Sequence, residues 1–177
     1  MNLLLVGYRG CGKSTVGAVL AKRLGLRFID LDQVIAEHAE MPIREIFAKE
    51  GEAGFRQREQ QACQNLRRTK RSVIALGGGA VIDAANRALM RRLGKVVWLR
   101  APAIVLWSRI KNDPETLNGR PDLTPDGGLA EVEAKLAERE QAYRAVAHQT
   151  IDTVSTTPEA VADAIELWFS ANDAGKD

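Results

Sequence analysis

Cysteine is scarce in this chain. Cys11 and Cys63 are the only two among 177 residues, and they sit in a glycine-rich loop and a helical stretch without the spacing of a disulfide framework or a thiolate metal site. Long hydrophobic runs are also missing, so nothing approaches the twenty or so residues that span a bilayer. The N-terminal run Leu3-Leu4-Leu5-Val6 stops at Gly7 and has no basic segment before it, so it does not read as a secretory signal. Neither sign of charge dominates. The 25 basic and 23 acidic side chains leave a net charge of +2, too even to call for nucleic acid or an anionic membrane as partner. The two histidines, His38 and His148, lack neighbours that suggest metal binding or catalysis. These absences point to a reducing cytoplasm. What remains is ordinary globular composition, 45% hydrophobic and 27% charged, in a chain of single-domain length spanning 1–177.

The strongest positive signal is Gly7-Tyr8-Arg9-Gly10-Cys11-Gly12-Lys13-Ser14, with the spacing G-x-x-x-x-G-K-S of a P-loop. An apolar run precedes it, and a helical pattern through Val16, Val19, Leu20 and Leu24 follows it. Phosphates of a nucleotide must be held by backbone N–H groups, so the loop has to curl through φ angles that glycine tolerates. The helix N-terminus adds free amides and its positive dipole end. Gly10, Cys11, Gly12, Lys13, Ser14 and Thr15 are therefore expected to hold a nucleoside triphosphate. Lys13 would reach the β- and γ-phosphates, and the Ser14 hydroxyl would ligate Mg²⁺. Cys11 reads first as a small residue that fits the loop, and second as a thiol beside a lysine.

Further along, short apolar segments alternate with helical ones. Arg27-Phe28-Ile29 is expected to be a strand ending at Asp30-Leu31-Asp32, followed by a weak helix over 33–39. Pro42 opens a short helix through Ile43, Ile46 and Phe47 that Gly51 ends, and a longer helix runs over 52–68. The strand 72–76 ends at Gly77-Gly78-Gly79. A helix over 83–92, a strand over 95–99 and a helix over 102–110 come next. Residues 111–128 carry three prolines and three glycines with little periodicity, which reads as a long functional loop, a lid. An apolar seam then passes through Leu129, Val132, Leu136, Tyr143 and Val146. A strand near 150–152, a helix over 158–169 and a frayed tail over 170–177 complete the chain. Alternating helices and near-continuously apolar strands imply an α/β, doubly wound fold on a parallel sheet. Ligands in such sheets bind beyond the carboxyl ends of the strands.

Three strand ends carry candidates. Asp30 and Asp32 alternate across an extended strand end, so one could face Mg²⁺ near Ser14 and the other an acceptor. The plainer reading makes Asp32 the cap of the next helix. Gly77-Gly78-Gly79 offers backbone N–H groups that a ligand could approach closely. Arg139 occupies the missing position of the apolar seam, where a guanidinium is costly unless it meets a carboxylate or lines a site. Arg56, within reach of Glu59 on its own helix, could be a second arginine. Two converging guanidiniums describe a receptor for carboxylate or phosphate. Arg120, inside the lid, could close over the transferred phosphoryl group.

Taken in order, Gly7–Gly17, Asp30-x-Asp32, Phe55-Arg56-x-x-Glu59, Leu76-Gly77-Gly78-Gly79-Ala80, Arg120-Pro121 and Arg139-x-x-x-Tyr143 resemble the shikimate kinase family. The resemblance implies a five-stranded parallel sheet with helices on both faces, of P-loop NTPase type. It also implies transfer of the ATP γ-phosphoryl to the 3-hydroxyl of shikimate in aromatic amino-acid biosynthesis. Under it, Arg56 and Arg139 hold the shikimate carboxylate, and Asp32 bonds the ring hydroxyls near the reacting one. Gly78 and Gly79 give main-chain contacts. Asp30 and Ser14 serve Mg²⁺, Lys13 and Arg120 the transferred phosphoryl, and Glu59 orients Arg56. A monomer is expected. The rivals are another small-molecule kinase, such as a gluconate kinase, and a non-catalytic ATP-binding regulatory module. The latter predicts loss of Lys13, Asp30, Asp32 or Arg120, and all four are present.

Overall fold

The computed structural model describes residues 1–113 and 127–173. Five strands, β1 (Asn2–Val6), β2 (Arg27–Asp30), β3 (Ser72–Ala75), β4 (Gly94–Arg100) and β5 (Gln149–Asp152), pair into one sheet in the order β2-β3-β1-β4-β5. Every pairing is parallel. Parallel neighbours need crossovers, and these are supplied by α1 (Lys13–Leu24), α2 (Leu31–Ala39), α3 (Ile43–Asn65), α4 (Ala84–Leu93) and α5 (Ala103–Asn112), followed by α6 (Gly128–Val146) and α7 (Pro158–Asp173).

The central strand shows why its sequence is apolar throughout. Leu3 and Leu5 belong to one buried cluster, together with Val16 and Leu20 of α1 and Val161 and Ile165 of α7. Leu4 and Val6 belong to the other, together with Phe55 of α3, Met90 of α4 and Tyr143 of α6. Successive side chains of a strand face opposite sides, so a strand covered on both faces must be apolar at every position. Helix α6 links the two cores. Val132 packs in the first, Tyr143 and Val146 in the second, and Leu136 against both. Arg139 is carried between them.

Some boundaries depart from expectation. The two helices expected over 42–68 are joined as α3, kinked at Gly51 (φ 68°, ψ −175°), and a 3₁₀ turn over Leu66–Arg68 follows. The helix near residue 33 begins two residues earlier, directly at the end of β2. Asp32 is therefore not on an extended strand end but in the first turn of α2, and the cap is Asp30, whose carboxylate accepts from the Asp32 N–H. Asp83 caps α4 in the same way, accepting from Asn86. The stretch expected to fray is helical through Asp173. Lys111 and Asn112 end α5 and Gly128 opens α6, while the expected lid between them, Arg120 included, lies outside the described residues.

Candidate active site

The phosphate loop runs from the end of β1 into α1, with left-handed backbone at Gly10 (φ 80°) and Gly12 (φ 90°). Lys13 turns back over this loop, and its ammonium donates to the carbonyls of Gly7 (2.9 Å) and Tyr8 (3.0 Å). Ser14 donates to one oxygen of Asp30 at 2.5 Å, and the other oxygen of Asp30 caps α2. Asp30 thus joins the start of α1 to the start of α2. Ser14 and Asp30 form an all-oxygen donor pair of the kind Mg²⁺ accepts when phosphates and water complete its shell. Among the described residues no group of three His, Cys, Asp or Glu side chains gathers to hold a metal without such help.

A cavity of about 880 Å³ opens over this end of the sheet. Gly10, Cys11, Gly12, Lys13, Ser14 and Thr15 line it, and so do Asp30, Asp32, Gly78 and Arg139. The three strand ends therefore do face one crevice. The triple glycine has a packing reason as well. A Cβ on Gly77 would collide with the Glu59 carboxylate and come within 3.0 Å of Asp32, and one on Gly79 would strike the Arg56 guanidinium. At Gly78 a Cβ would lie 3.3 Å from the Gly7 carbonyl oxygen, because the β3 end and the phosphate loop meet backbone to backbone.

Arg56 stands beside this wall, stacked over Phe55 and packed on Gly79. It donates to buried Glu59 at 2.8 Å and to Glu52 at 3.0 Å. Burial alone would lower its pKa, but the Glu59 and Glu52 carboxylates outweigh burial and hold the cation firmly. Arg139 is 4% exposed, and its guanidinium lies 5.5 Å from the centroid of the Tyr8 ring. Among the described residues its Nε and Nη2 have no hydrogen-bond partner. Glu138, held below the usual carboxylate range first by the hydrogen bond from Lys135, also feels both Arg139 and Arg56.

The family model for shikimate kinase matches residues 9–169. The chain belongs to the shikimate kinase family. It is 46% identical over 152 residues to a shikimate kinase of Rhodopirellula baltica, covering 86% of this chain and 81% of that one. To shikimate kinase 2 of Yersinia pestis it is 43% identical over 166 residues, 94% of each chain. Among solved structures, the shikimate kinase from Acinetobacter baumannii in complex with shikimate superposes with a TM-score of 0.90 at 37% identity, covering 97% of this chain and 93% of that one. A gluconokinase from Sinorhizobium meliloti (TM-score 0.53, 16% identity) shares the fold alone.

Several partnerships within this site had no reading in the sequence. Tyr8 and Arg9 are loop positions that the P-loop pattern leaves free. Tyr8 is nevertheless buried under Arg139, and Arg9 pairs at 3.3 Å with Glu131, whose side chain is fully buried in the first turn of α6. A partner 122 positions away leaves no local signal. Tyr143, stacked on Trp98, donates to the Gly78 carbonyl at 2.5 Å, and burial pushes its hydroxyl pKa up. Also lining the cavity, Arg109 donates to the Thr153 hydroxyl (2.9 Å) and to the Gly10 carbonyl (3.3 Å). Cys11, 1% exposed, is packed in the core with its sulfur against Gly7, and that sulfur also accepts from the Lys13 ammonium at 3.7 Å. His148 is structural, its Nδ1 accepting from Val96 N–H at 3.0 Å. Among the described residues no helix is long and apolar enough to cross a membrane.

Proposed function

We propose that the chain transfers the γ-phosphoryl group of ATP to the 3-hydroxyl of shikimate, giving shikimate 3-phosphate and ADP, within the route to chorismate and the aromatic amino acids. Membership of the shikimate kinase family supports the reaction. The observation that carries the acceptor assignment is Arg139. Two buried guanidinium nitrogens without partners among the described residues, in the wall of the cavity that contains the phosphate loop, are costly unless an anion receives them. A planar carboxylate matches that fork. Arg56, oriented by Glu59, is the second carboxylate ligand, and Gly78 and Gly79 give main-chain contacts.

In this reading the loop amides of Gly10, Gly12, Ser14 and Thr15 hold the phosphates, with Cys11 filling the space beneath. Lys13 gives up its two carbonyl partners to follow the β- and γ-phosphates. Ser14 and Asp30 would hold Mg²⁺, which neutralises charge between the β- and γ-phosphates when bound. Asp32, set in the first turn of α2 by the Asp30 cap, accepts a hydrogen bond from the 3-hydroxyl and takes its proton as the new O–P bond forms. The bond from the γ-phosphorus to the bridging oxygen breaks, and ADP leaves. Lys13 and Arg120 stabilise the charge that develops. Expulsion of water from the filled cavity would leave the hydroxyl rather than a water molecule in line. A monomer acting in the cytoplasm is part of the same reading.

The test is ADP release in a coupled assay with Mg·ATP and, in parallel, shikimate, gluconate, a nucleoside monophosphate or no acceptor. Release dependent on shikimate alone is the expected result. Turnover with another acceptor keeps a kinase but removes the pocket assignments, and binding of ATP without turnover on any acceptor removes the reaction.

A further inference from the structure

The acceptor arginine does not stand on its own helix alone. The face of Tyr8 lies beneath the Arg139 guanidinium, 5.5 Å away, and Tyr8 itself is 2% exposed. Arg9, next in the loop, pairs with buried Glu131 at 3.3 Å. Glu131 and Arg139 are both on α6, so the four side chains run from α6 to the phosphate loop and back to α6. A guanidinium over an aromatic face is attracted by the ring's quadrupole, more strongly where water is excluded. Its plane is also restrained, and Nε and Nη2 on one edge have no hydrogen-bond partner among the described residues.

We propose that Tyr8 is a positioning residue for the acceptor, holding Arg139 in the plane that receives a carboxylate, with Arg9 and Glu131 fixing the ring's own place. The P-loop pattern asks nothing of this position, so the ring is free to serve the neighbouring site rather than the phosphates. This inference rests on the reading of Arg139 as the carboxylate ligand. Its consequence is a split: losing the ring weakens the acceptor while nucleotide affinity holds.

The experiment compares Tyr8→Leu and Tyr8→Phe with Arg139→Ala and the double variant Tyr8→Leu/Arg139→Ala, reading KM for shikimate, KM for ATP and kcat. Tyr8→Met, which keeps bulk in the buried position, is measured alongside in case Tyr8→Leu does not fold. Tyr8→Leu should raise the shikimate KM about tenfold, with ATP KM and kcat moving less than about threefold. Tyr8→Phe, which keeps the ring, should recover most of that loss. On the Arg139→Ala background, Tyr8→Leu should add little, because the group it positions is gone. A shikimate KM unmoved in Tyr8→Leu and Tyr8→Met while Arg139→Ala raises it overturns the positioning role and leaves the carboxylate reading standing. Equal loss in Tyr8→Phe and Tyr8→Leu, or full additivity in the double variant, also overturns it. An unmoved KM in Arg139→Ala itself overturns both.

Discussion

Lys13 and Arg139 are both cations at the cavity wall, but their surroundings differ and so do the effects expected from removing them. The ammonium of Lys13 is occupied by two loop carbonyls, so it is free to exchange them for phosphate oxygens at little desolvation cost. Lys13→Ala should therefore lower kcat by roughly a hundredfold or more, since a positioned cation is lost from the transferring group. A coupled assay at saturating shikimate reads it. Arg139 has buried nitrogens without partners among the described residues, and in the proposed reading its removal leaves the bound carboxylate unpaired. Arg139→Ala should raise the shikimate KM roughly tenfold to a hundredfold with a smaller change in kcat. Arg139 could be singled out from the sequence because a guanidinium interrupts an otherwise apolar helical spacing. Asp32 could be singled out only in part. Its place beside the phosphate loop was legible, but its conformation was not, because whether a helix starts at Leu31 or Gln33 depends on which aspartate caps it. Glu131 could not be found, since nothing on α6 requires an acid there, and its reason is Arg9.

At the level of elements, the end of β3 is where side chains from three helices crowd onto bare backbone. Gly79 accepts the guanidinium of Arg56 where a Cβ would otherwise be. The obstacle is the far end of a flexible side chain, so Gly79→Ala should fold and displace Arg56 rather than the strand. The expected outcome is a shikimate KM raised about tenfold, with a melting temperature within a few degrees of the parent. A steep loss of stability instead would assign the glycine to folding. The edge of the sheet offers a pH test. His148 precedes β5 and accepts the Val96 N–H on Nδ1. Burial first, then Lys95 and Arg91, lower its pKa below the ordinary 6.5. The unfolded chain therefore takes up a proton at higher pH than the folded one. The contribution of His148 to stability is complete above about 6.5 and is lost as pH falls from there through the lower folded value. Denaturant midpoints between pH 7.5 and 5.5 should decline less steeply in His148→Gln. Because His148 is exposed the difference should be small, and an identical slope would remove His148 from the account.

Across the whole molecule, β1 lies between β3 and β4, and the phosphate loop leaves the sheet at that centre. The strand pattern made this layout readable in advance, because both faces of β1 are apolar and helices alternate with strands. It did not reveal that α6 bridges the two cores, since its apolar seam is a single stripe in sequence and divides between the cores only in the fold. In the proposed reading the nucleotide half of the cavity is built on α1 and the acceptor half on α3 and α6, so the two ligands should stabilise the chain through different residues. Mg·ATP at about a hundred times its Kd should add about 2.7 kcal/mol, a rise of roughly 5–10 °C in Tm for a domain of this size. That shift should largely vanish in Lys13→Ala and survive in Arg139→Ala. Shikimate alone should give the reverse pattern, keeping its shift in Lys13→Ala and losing it in Arg139→Ala. If Lys13→Ala abolished both shifts, the lysine's bonds to Gly7 and Tyr8 would be holding the acceptor half as well, and the division of the cavity into two separately built halves would be wrong.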